Sequence, residues 1–115
     1  MILLAIAAAG FAGAVARYWL STTIASRFSS AFPRATFLIN ISGAFALGLL
    51  VGSGLPAALR TPLAAGFCGA YTTFSTWMLE TVRLSPRTAV LNLVLSTATG
   101  LLAAAGGLAL GRWLL

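Results

Sequence analysis

The chain has 115 residues, of which 60% are hydrophobic and 7% charged, with seven basic residues against one acidic and a mean hydropathy of +1.02. A soluble domain carries roughly 25% charged residues, so this composition excludes an ordinary water-facing surface and leaves a bilayer as the solvent. Nucleic-acid binding, which a pI near 11.6 would suggest in a soluble protein, goes with it, because most of the arginines fall between apolar stretches, where they anchor to lipid headgroups.

Four apolar stretches read as membrane spans, at about residues 2–26, 36–55, 62–82 and 88–114. Each reaches the roughly 20 residues that cross the hydrocarbon core. The expectation is an all-α integral membrane protein, one four-helix domain over residues 1–115, multi-pass in a lipid bilayer. In the first span, residues 3–9 resemble a signal's apolar core, but no basic segment precedes them, so a retained helix is expected. Arg17 lies unusually deep, beside Tyr18 and Trp19. It either supplies positive potential at a pore mouth or snorkels to the interface.

The second span carries one lone amide, Asn40. Its residue type leaves two roles open, an interhelical hydrogen bond or an N–H₂ donor aimed at an anion. The third span is the most informative. Gly66-Phe-Cys-Gly-Ala-Tyr-Thr-Thr-Phe-Ser-Thr-Trp77 places glycines and hydroxyls where an unbroken helix is expected, and such interruptions persist at membrane depth where they pack on protein or line a polar cavity. A break is expected near residues 69–72. Unwinding there would turn carbonyl oxygens sideways, and two antiparallel copies would bring them together as a hard-cation site. The competing reading is that the glycines only permit close helix crossing while threonine hydroxyls bond back to their own helix.

Thr73, Thr76 and Glu80 fall at i, i+3 and i+7 and predict one polar helix face. Glu80, the sole acid, is expected to pair with Arg83 in a structural or gating role, or else to meet the ion directly. Cys68, the single cysteine in a chain without histidine, reads as a small packing residue, with no metal or thiol chemistry. On the fourth span Asn92, Ser96 and Thr99 likewise share a face. No nucleophile and base pair or cofactor motif suggests an enzyme.

The arginines also bear on orientation. With four spans, Arg60 and Arg112 lie on one side and Arg27, Arg34, Arg83 and Arg87 on the other, a weak bias that permits insertion either way. An antiparallel dimer is the simplest closed assembly of two such orientations. Small residues at close-packing spacing, Gly10 with Gly13 and Ala14, Gly48 with Gly52, and Gly107 with Gly111, are expected to serve helix contacts in that oligomer.

Three motifs carry a family resemblance: Gly10-Phe-Ala-Gly-Ala-Val-Ala-Arg17-Tyr18, Phe37-Leu-Ile-Asn40-Ile-Ser-Gly43-Ala-Phe45, and Gly66 to Thr76 followed by Glu80. In order, depth and separation they resemble the Fluc (CrcB) fluoride channels of microbes. The resemblance implies a dual-topology antiparallel homodimer in the lipid bilayer of the bacterial plasma membrane, two fluoride pores, and passive export of fluoride from the cytoplasm. It implies a structural sodium ion at the dimer axis, held by the backbone carbonyls of Gly69 and Thr72. It assigns Asn40 and Phe74 to the pore and places Arg17 in the first-span motif; Thr73, Ser75, Thr76, Glu80 and Ser96, polar side chains near or along the same faces, are further pore candidates. The family has a second phenylalanine three residues after the first, where this chain has Trp77; that departure keeps an aromatic edge, adds an indole N–H, and leaves room for a heterodimer in which this copy supplies part of each pore. Small multidrug exporters share the length and dual topology, but their first-span carboxylate has no counterpart here.

Overall fold

The computed structural model describes residues 1–115 and contains only helices and connections. Helix α1 spans Ile2–Arg27 and α2 spans Arg34–Gly52. The third span is two half-helices: α3, residues 57–71, and α4, Ser75–Arg83. Helix α5 spans Pro86–Leu114. Three of these, α1, α2 and α5, are long and apolar enough to cross a membrane, with mean hydropathies of 1.6, 1.8 and 1.8. The molecule measures 45 × 28 × 22 Å, its long dimension set by the helices at about 1.5 Å per residue.

The boundaries follow local chemistry. Helix α2 ends earlier than the apolar run does: Ser53 is already extended (ψ 154°), and Pro56 then keeps Leu55, the residue before it, from helical geometry. Inside α3 the backbone widens to a π-helical stretch at Pro62–Cys68. Pro62 has no N–H to return to the preceding turn and its ring crowds the carbonyl there. Such widened turns are frequent at functional sites. Past Tyr71 the chain is extended at Thr72 (φ −82°, ψ 160°) and becomes helical again at Ser75. The interruption therefore covers residues 72–74, while Gly69 and Ala70 stay helical, which moves the expected break toward the C-terminus.

Two helix pairs make the protomer. Glycine lets the backbones of α2 and α5 touch along a reciprocal seam. A Cβ on Gly48 would strike the Ala104 carbonyl, and one on Gly52 the Leu108 carbonyl; Cβ atoms on Gly107 and Gly111 would meet the Phe45 and Leu49 carbonyls. In the second pair, Gly13 of α1 lies against the Phe67 backbone and Gly66 of α3 against the Ile6 backbone. The small-residue spacings expected to serve an oligomer are thus occupied within one chain. Without a hydrophobic force between helices in lipid, this close approach is what holds them together.

Candidate functional site

The break in the third span is seated on one face of α2. Gly43 leaves room for it, since a Cβ there would collide with the Thr72 methyl group and approach the Tyr71 ring at 3.2 Å. One turn earlier, Asn40 binds the break at both ends of its amide: Nδ2 donates to the Thr73 carbonyl and Oδ1 accepts from the Thr73 N–H, each at 2.8 Å. From α1, Arg17 Nη1 donates to the Thr72 carbonyl at 3.1 Å. Tyr71 stacks on Phe67 with centroids 5.6 Å apart and shares a 2.8 Å hydrogen bond with Ser42. The restart of α4 is capped by the Thr73 hydroxyl, which accepts from the Thr76 N–H at 3.2 Å.

Of the residues the sequence singles out, the structure gathers Asn40, Gly69, Thr72, Thr73, Phe74 and Trp77 around one open cavity of about 380 Å³. Phe74 is 70% exposed in the protomer. Its ring meets Trp77 edge to face, 5.8 Å between centroids at 78°. The Trp77 indole Nε1 is buried and donates to nothing in the chain. Asn40 and Trp77 also border a second cavity of about 360 Å³, which adds Ser96. Ser75 is exposed, its hydroxyl 3.5 Å from that of Thr73.

Arg17 and Thr76 lie outside that cavity; with Thr73, which borders both, they share a recess of about 200 Å³ with Ser21 and Thr36, between α1, α2 and α4. Glu80 lies further along, in a recess of about 350 Å³ with Thr36 and Arg34. Two expectations change here. Thr73 precedes α4, so it forms no continuous helical stripe with Thr76 and Glu80; it reaches them as the cap of the half-helix. Glu80 takes its hydrogen bond from the Thr36 hydroxyl, 2.8 Å from Oε1, in place of an ion pair with Arg83, and Oε2 is buried without a partner.

On α5 the predicted stripe divides. Ser96 donates to Asn92 Oδ1 at 3.1 Å, Asn92 Nδ2 donates to the Thr81 hydroxyl at 2.8 Å, and Thr81 donates to the Trp77 carbonyl at 2.6 Å. Thr99 bonds back to the Leu95 carbonyl at 2.5 Å. Asn92 is fully buried, so this chain of bonds ties the half-helix carrying Trp77 to α5. Thr36, Ser42, Tyr71 and Thr81 escape a reading of the sequence. The only signal they offer is a hydroxyl in an apolar run, which is common in membrane helices because such groups bond to their own backbone.

The chain matches the family described as "CrcB-like protein, Camphor Resistance (CrcB)" over residues 4–108. It belongs to this CrcB family. Among similar proteins, a "Fluoride-specific ion channel FluC 2" of Bacillus cereus is 45% identical over 112 residues, 94% of this chain and 95% of that protein. A "Fluoride-specific ion channel FluC 2" of Mycobacterium tuberculosis is 43% identical over 109 residues, 91% of this chain and 83% of that protein. "Fluoride-specific ion channel FluC 1" of Leifsonia xyli subsp. xyli is 42% identical over 118 residues, 99% of this chain and 86% of that protein. With its apolar helices, membership of the CrcB family makes this a multi-pass membrane protein.

Proposed function

We propose that this CrcB protein is a passive, fluoride-selective ion channel, not an enzyme, and that it works as an antiparallel dimer exporting fluoride from the cytoplasm through two pores. The observation that carries the reading is the cavity at the helix break, where weak donors converge and no charged side chain lines the wall. Fluoride holds its water tightly, so a path must replace that shell with close donors and still release the ion. Asn40 keeps one N–H beyond its bond to Thr73. Trp77 offers its unpartnered indole N–H, and the Phe74 ring edge is electropositive through its quadrupole. The hydroxyls of Thr73, Ser75, Thr76 and Ser96 extend the donors along the path. Arg17, held on the Thr72 carbonyl, contributes positive potential.

The residues also fit a central structural sodium ion. The Thr73 N–H, which would normally close onto Gly69, is taken by Asn40, so the Gly69 carbonyl accepts no hydrogen bond in the chain. Thr72 presents a second carbonyl that keeps one lone pair beyond its bond to Arg17. Carbonyl oxygens suit a hard cation, whose role here is to neutralise partial negative charge between two protomers. The dimer is supported by Gly69 itself, exposed and with nothing within 4 Å of an added Cβ, which leaves space for a partner backbone.

The test is reconstitution of the chain alone in liposomes loaded with potassium fluoride, followed by a fluoride electrode after valinomycin, with chloride-loaded vesicles alongside. Rapid fluoride release without chloride release is the expected result. Folded dimers that release neither ion, or both, would overturn the proposal.

A further inference from the structure

Asn40 borders the proposed ion path, yet its two hydrogen bonds run to the backbone of Thr73, both at 2.8 Å. The N–H and C=O they satisfy have no helical partner, because the chain is extended at Thr72. In a continuous helix the Thr73 N–H would bond to the carbonyl four residues back, that of Gly69. The previous turn still closes, Thr72 N–H to Cys68 carbonyl at 3.0 Å. The next one does not, and the Gly69 carbonyl is left without a donor on the exposed face of α3. A polar group left unpaired in apolar surroundings is costly, so a carbonyl kept in that state calls for an occupant other than a helical N–H.

We infer that Asn40 is a positioning residue for the cation site: by holding the Thr73 N–H away from Gly69 it keeps the third helix open and the Gly69 carbonyl available to sodium. This rests on the sodium reading given above. A carboxamide suits the task because it sets one acceptor beside one donor, the complement of a peptide N–H and C=O. A carboxylate retains only the acceptor, and an aliphatic side chain retains neither. Gly43, one turn further along α2, admits the Thr72 side chain that the open backbone brings against it. One Nδ2 hydrogen remains for the path. A single side chain thereby joins the route of the anion to the seat of the cation, which a donor acting on fluoride alone would not do.

The experiment compares thermal unfolding of the purified dimer in sodium and in N-methylglucamine at equal ionic strength, with hydrogen exchange across residues 69–77 as a second readout. The wild type is expected to melt higher in sodium. Asn40→Ala is expected to lose that sodium-dependent rise and to exchange more slowly at Thr73, as its N–H closes onto Gly69. Asn40→Asp, which keeps the acceptor for the Thr73 N–H, is expected to retain the rise while losing fluoride flux. Adding Thr73→Pro to Asn40→Ala removes the competing N–H altogether, and Thr72 is already in the extended geometry that a following proline requires. That double variant is expected to recover the sodium response, an outcome that a merely structural role for Asn40 does not produce. A full sodium response in Asn40→Ala would overturn the inference while leaving the sodium reading intact. A wild type indifferent to sodium would overturn both. If Asn40→Ala does not yield a folded dimer, Asn40→Asp decides: loss of its sodium response overturns the inference.

Discussion

Replacing Trp77 with phenylalanine separates two roles of the indole. The ring packs edge to face on Phe74 at 5.8 Å, and phenylalanine preserves an aromatic there. What disappears is the Nε1–H, which is buried and has no acceptor in the protomer. Leaving a buried donor unsatisfied costs about 1–3 kcal/mol, so its removal stabilises by up to that amount. The smaller ring loses packing against a wall that already borders two cavities, a truncation that costs about 1–2 kcal/mol, below the range for full aromatic removal. The terms oppose each other, and stability should stay within about 1 kcal/mol of wild type. Ion handling has no such offset. A hydrogen bond to a charged acceptor contributes about 1.5–3 kcal/mol, so losing it should weaken apparent fluoride affinity by roughly 10- to 100-fold. Fluoride flux measured against fluoride concentration reads this as a shift in half-saturation, with higher conductance where release limits the rate. An unchanged concentration dependence in a folded Trp77→Phe channel would refute the assignment of the indole N–H to the ion.

Three further outcomes are expected. Gly107→Val places a side chain on the Phe45 carbonyl; overpacking against backbone should cost about 2–3 kcal/mol, read as a lowered unfolding midpoint in detergent. Asn92→Ala breaks the fully buried link from Ser96 to Thr81 and should cost about 2–4 kcal/mol, with faster hydrogen exchange in residues 75–83. Glu80→Gln keeps an acceptor for Thr36 and replaces the unpartnered oxygen, so stability should change by less than about 1 kcal/mol while fluoride flux is maintained or rises; a loss above about 2 kcal/mol, measured by unfolding, would mean that Oε2 holds a cation in the dimer.

The spans were legible in the sequence because lipid imposes one rule on every residue, that backbone groups be satisfied within the segment. Glycine and hydroxyl residues marked the third span as interrupted for the same reason. Where it opens was not legible, because the decision is made on another helix: Asn40 takes the Thr73 N–H and Gly43 admits Thr72, so the opening follows Tyr71 and not Gly69. Spacing identified the small-residue seams but not their partners. Any of the glycine pairs could have faced a second chain, and only the path of the backbone shows that Gly48 and Gly52 meet α5 of their own chain. The Asn92 to Thr81 bond joins residues on different helices, a pairing on which helical periodicity is silent. Glu80 misled because Arg83 was near in sequence, whereas Thr36 lies 44 residues away on α2 and is brought against it only by folding.

The glycine seam between α2 and α5 sets a ruler for the proposed ion path. Asn40 and Gly43 stand on the same helix as Gly48 and Gly52, so the height at which the amide meets Thr73 is fixed by carbonyl-to-glycine contacts several turns away. Sliding α2 along α5 by one turn would move Asn40 about 5.4 Å, beyond reach of a backbone it now holds at 2.8 Å. A methyl group added to that seam, remote from any ion, would change the calibration of the channel before it changed the shape of its wall.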